Sequence, residues 1–89
     1  MGSSPDNTTD VLRAILGDVL GLGAERLATF TDDTGLFGHL PELDSMAVAG
    51  LLTEIEDRFG IVIEDDEVDG ELLESFGTLR HFIAARLQA

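Results

Sequence analysis

The sequence predicts an all-α fold: a small four-helix bundle of three main helices and one short helix, with a long loop between helices 1 and 2. Three observations carry that prediction. Apolar residues recur at helical spacing in three separate segments of the 89-residue chain. Start and stop residues bracket those segments. The β-branched run Ile61-Val62-Ile63 is short and has no partner strands, which argues against a sheet. The length fits one small domain with one modest core. A hydrophobic content of 44% is enough to build it.

Residues 1–8 are polar, with Gly2 and Pro5, and are predicted as a disordered tail before a folded domain over 9–88. Thr8 or Thr9 caps the first helix, and Asp10 favours its positive end. Val11, Leu12, Ile15, Leu16 and Val19 follow helical spacing, and Gly21 and Gly23 end it. Residues 21–43 are rich in Gly, Thr and Asp and form the long loop, of a length that tends to be functional. Leu22, Leu27, Phe30, Leu36, Phe37 and Leu40 are expected to pin it to the core.

The second main helix spans Ser45 to Phe59, with Asp44 as N-cap and Gly60 as stop. Val48, Leu52, Ile55 and Phe59 draw its buried stripe, and Glu54, Glu56, Asp57 and Arg58 its wet side. Ile61 to Ile63 is an extended connector, and Glu64 to Asp69 an acidic cluster. Gly70 to Ser75 supplies one or two turns, burying Leu72 or Leu73. Leu79, Phe82, Ile83 and Leu87 share a face of the last helix, with Arg80 and Arg86 suited to its C-terminal half. No internal repeat is present.

Five arginines, and no lysine, stand against eighteen acids, giving a formal net charge of −13. That balance excludes nucleic acid, whose phosphates need a basic surface. It also disfavours an anionic membrane and favours partners with basic patches. Without cysteine there is no disulfide framework, and any thiol chemistry must come from an added group. The longest apolar run, Met46 to Leu52, is too short to span a bilayer, and the N-terminus does not read as a signal peptide. The expectation is a monomer in the cytoplasm.

A serine in a first helical turn is ordinarily a helix-end residue. Here Asp44 supplies the cap, which leaves Ser45 free to face outward. A helix N-terminus also favours a phosphate, through its unpaired N–H groups and its dipole. A nucleophilic enzyme serine would need a base, an orienting acid and an oxyanion hole. The chain offers only His39 and His81, both expected at the surface, and no nucleophile-elbow pattern. No catalytic residue is assigned. Asp65, Glu67, Asp69 and Gly70 imitate the start of a calcium loop, but Phe76 stands where its last ligand should be. No metal site is assigned.

The segment Leu43-Asp44-Ser45-Met46-Ala47-Val48-Ala49-Gly50-Leu51-Leu52 resembles the attachment site of acyl carrier proteins, and the resemblance covers roughly residues 10–87. It implies a covalent 4'-phosphopantetheine arm, donated by coenzyme A, on Ser45. It implies a second role for Asp44, coordinating Mg²⁺ at the active site of a phosphopantetheinyl transferase. It implies partner contact at Met46 and along the helix at Ala47, Gly50, Glu54, Glu56 and Asp57. Partners would be that transferase and acyl-loading and acyl-transfer enzymes with basic docking patches. An acyl chain would fold back against Leu51, Leu52, Phe59, Ile63, Val68, Leu72 and Phe76. Each of those seven has a plainer alternative as core.

The chain departs from fatty-acid carriers in holding Ala47 and Gly50 where they usually place acids. A specialised carrier follows. Pro41-Glu42-Leu43-Asp44-Ser45-Met46 is similar to stand-alone bacterial carriers of exopolysaccharide-type gene clusters. Pro41 stiffens the approach to the motif, and Leu43 can staple onto the helix. Aminoacyl or peptidyl cargo, and an unmodified acidic interaction module, are the alternatives.

Overall fold

The computed structural model describes residues 5–88, the side chains of 5–7 aside. Four helices form a bundle: α1 (Pro5–Leu20), α2 (Ala24–Ala28), α3 (Ser45–Phe59) and α4 (Phe76–Gln88). A 3₁₀ turn at Asp65–Glu67 interrupts the connection between α3 and α4. Among the described residues there is no strand, only one isolated antiparallel bridge, Gly35 with Ser75. No described helix is long and apolar enough to cross a membrane.

The core sits around α1, which packs on α2, α3 and α4. Leu12, Ile15 and Leu16 are fully buried against Leu51 and Ile55 of α3 and Phe76, Leu79 and Ile83 of α4. At the end of α1, Gly21 adopts a left-handed conformation (φ 71°), and the Leu22 N–H reaches back to the Gly17 carbonyl at 3.1 Å. That is the reversal a glycine just past a helix end permits.

Several expectations are corrected. The first helix begins at Pro5, not at a Thr8 or Thr9 cap. Proline is well tolerated at the first helical position, where its missing N–H would be unpaired anyway. Thr8, expected in the tail, is buried inside α1, and residues 1–4 of that tail lie outside the described residues. The short helix lies at Ala24–Ala28, within the long loop, and not at Gly70–Ser75. Ala24, Glu25, Arg26, Leu27 and Ala28 are all strong helix formers.

Residues 70–75 run as turns beside the loop, whose backbone occupies their carbonyls. The Leu36 N–H donates to Glu74 O at 3.1 Å and the Phe37 N–H to Leu73 O at 2.9 Å. In return the Phe76 N–H donates to Thr34 O at 2.8 Å and the Gly77 N–H to Asp32 O at 2.9 Å. A helix running on through this segment into α4 would need those same groups.

Two buried faces also differ. On α3 the fully buried pair is Leu51 and Ile55, with Val48, Leu52 and Phe59 half-buried around them. The apolar face is wider than a single stripe, so its centre line decides which residues seal. On α4, Leu87 is 41% exposed. Arg86 anchors that last turn instead, stacking 4.8 Å over the Phe82 ring, donating to Val62 O at 2.7 Å and pairing with Glu67.

Candidate functional site: the N-terminus of the third helix

Asp44 ends the loop in extended backbone (φ −97°, ψ −176°), and its Oδ1 accepts the Ala47 N–H at 2.8 Å. Its carbonyl accepts the Val48 N–H at 2.9 Å, the first turn of α3. The side-chain bond satisfies the Ala47 amide, one of those that a helix start leaves without an intrahelical acceptor. Behind it Leu43 is 3% exposed and anchors the approach in the core. Arg26 of α2 forks onto Glu42, with Nη2 to Oε1 at 3.0 Å, and holds the loop from outside. Hydrogen bonds from that guanidinium hold the Glu42 carboxyl below its usual range.

Capped and anchored in this way, the chain presents Ser45 to solvent, with Met46 beside it at 85% exposure. Two depressions flank the serine. One is an apolar cavity of about 230 Å³ between α3 and the α3–α4 connection, where Phe37, Val48, Val68 and Leu73 form the wall. The other is a broader hollow of about 590 Å³ on the loop side, lined by Phe37, His39, Pro41 and Asp44. An exposed hydroxyl at the positive end of a helix, between two hollows, fits a phosphodiester-linked arm.

The expected acyl wall is mostly elsewhere. Val68 lines the cavity beside Ser45. Leu51, Ile63, Leu72 and Phe76 are sealed in the core, and Leu52 and Phe59 are half-buried against it. Phe37, Val48 and Leu73 also line this cavity, and sequence reasoning missed all three there, placing Val48 on the buried stripe. Phe37, expected to pin the loop, is 44% exposed, whereas its neighbour Leu36 is fully buried. The chain turns at this point, with the His39 and Leu40 N–H groups both bonded to Leu36 O, so Leu36 faces inward and Phe37 stands on the outside of the turn.

The expected docking residues of α3 divide. Ala47 is half-buried, and Gly50 is exposed, its α-carbon facing open space apart from a Val19 methyl. Glu54 pairs with Arg58 at 3.2 Å, and Arg58 also holds Asp18 of α1 at 3.0 Å. The Glu56 carboxylate accepts the Ile63 N–H at 2.8 Å. Asp57 is exposed. In the acidic cluster, Glu67 pairs with Arg86, and Asp69 accepts the Leu72 N–H at 3.0 Å. His39 and His81 are both exposed.

A family model for the phosphopantetheine attachment site matches residues 10–85. The fold is similar to that of a holo acyl carrier protein from Nitrosomonas europaea, determined by solution NMR. The TM-score is 0.83 at 42% identity, over 91% of this chain and 96% of that one. The chain belongs to the acyl carrier protein family, a family of carriers rather than catalysts whose cofactor is a covalently bound phosphopantetheine.

Proposed function

We propose that Ser45 bears the arm and that the chain carries acyl groups for enzymes of a fatty-acid-like, lipid or polysaccharide-modification pathway. The observation that carries this reading is an exposed Ser45 at the start of α3, with the cap supplied by Asp44. When attached, the 4'-phosphopantetheine supplies a terminal thiol that holds cargo as a thioester. Ser45 Oγ anchors it, and the N-terminal amides and dipole of α3 favour its phosphate. Asp44 uses Oδ1 for the cap, and its carboxylate is the group that would meet the Mg²⁺ of a phosphopantetheinyl transferase. A flexible tether raises the concentration of cargo at a docked enzyme's site. The protein's part is to present, shelter and dock.

The apolar wall of Phe37, Val48, Val68 and Leu73, with Asp69 the one charged residue on the lining, offers burial to an alkyl chain and supports acyl cargo. Intact mass after incubation with coenzyme A, Mg²⁺ and a broad-specificity transferase tests the attachment. The expected outcome is a gain of one phosphopantetheine, absent in Ser45→Ala with helical circular dichroism unchanged. An unmodified wild type would indicate an interaction module. Cargo on protein isolated from its host should weigh as an acyl thioester; a dominant aminoacyl thioester would overturn that part.

A further inference from the structure

An enzyme that acts on Ser45 must cover the rim around it, where three carboxylates that the fold already uses stand beside exposed apolar side chains. Asp44 is engaged in the helix cap, Asp69 accepts the Leu72 N–H, and Glu42 is forked by Arg26. The first turns of α3 add Met46, Ala47, Ala49 and Gly50, with no charge among them. The rim's exposed large side chains are apolar: Met46 at 85% and Phe37 at 44%. Met46 follows Ser45 in the chain, and Phe37 lines the hollows on both sides of Ser45. Its backbone is fixed there, because the Phe37 N–H is bonded to Leu73 O at 2.9 Å beside the Gly35–Ser75 bridge. A large aromatic held half in solvent at this place is suited to burial by a partner.

We infer that Phe37 is an apolar docking contact for the phosphopantetheinyl transferase, which meets it together with Met46 through an apolar lip at its active-site entrance. This rests on Ser45 being the attachment point. Recognition at the rim is then led by packing, and the acids farther along the chain contribute general attraction.

Steady-state transfer from coenzyme A to the purified chain tests it. Phe37→Ser should raise KM for the carrier about tenfold with kcat within about twofold, the size of one interface anchor. Phe37→Leu should restore KM to within about threefold, because it returns apolar area. An unchanged KM in a folded Phe37→Ser variant overturns the inference. Should that variant not fold, Phe37→Ala is measured in its place: a KM raised about tenfold sustains the inference, and an unchanged KM overturns it. A wild type that is never modified refutes the attachment reading itself, whereas modification with an indifferent Phe37 refutes the docking contact alone.

Discussion

Gly50 sits inside α3, exposed, in a φ < 0 helical backbone that does not require glycine. A Cβ placed there would meet only a Val19 methyl at 3.9 Å, an ordinary contact. The fold therefore gives no reason for a residue that weakens a helix. Gly50→Ala should raise the unfolding free energy by up to ~1 kcal/mol in urea denaturation. A loss of stability would reveal a constraint on this face that the geometry does not contain. Ser45 and Asp44 are the opposite case, because their roles are legible from residue type and order. A short acceptor before an apolar helix reads as a cap, and the next residue is left outside it. Phe37 is not legible in the same way, because Leu36 and Phe37 are both apolar and only the course of the loop decides which one turns inward.

At the scale of elements, α3 is readable to its ends because each end has a local cause: the Asp44 side chain at one and left-handed Gly60 (φ 68°) at the other. The short helix is not, because Leu73 and Glu74 are held by bonds from Phe37 and Leu36, far away in sequence. The same tie places Phe30 edge-on to Phe76, ring centres 5.9 Å apart, with Arg13 donating to Phe30 O at 2.8 Å. Gly77 lets the two segments approach. A Cβ there would lie 2.7 Å from Asp32 Cβ and 2.8 Å from Asp32 O. Gly77→Ala gains up to ~1 kcal/mol of helix preference but meets an overpacking cost of about 1–3 kcal/mol against backbone. The expected net result is destabilisation, read as a lower urea midpoint. A stabilised variant would show that the loop is not held against α4.

Over the whole molecule, the scarce cations are committed internally. Arg26 joins α2 to the loop, Arg58 joins α3 to α1, and Arg80 joins α4 to Asp32 at 3.0 Å. Arg86 joins α4 to Glu67, and Arg13 holds a loop carbonyl. Exposed pairs of this kind are individually weak, yet each spans different segments of a self-repelling chain. The Glu67 carboxyl is held below the ordinary glutamate range, first by the Glu64 N–H and then by the Arg86 guanidinium. A lowered native pKa means stability that is full above the ordinary range and fades as pH falls through the native value. The Tm difference between wild type and Glu67→Gln should be largest near neutral pH and close below the ordinary glutamate pKa of about 4.3. A gap unchanged at low pH would mean that the pair contributes nothing.

The sequence by itself determined the helical class, the span and capping of α3, the outward serine that follows the cap, the acidic character and the family. The family follows from the resemblance of the motif around Ser45, and the rest from local causes: residue spacing, cap chemistry and charge count. Tertiary structure alone decided where the short helix forms, which apolar residues seal and which line the cavity beside Ser45, and which acids are taken by arginines. Those outcomes depend on backbone and side-chain partners distant along the chain, and a one-dimensional pattern does not say which partners meet.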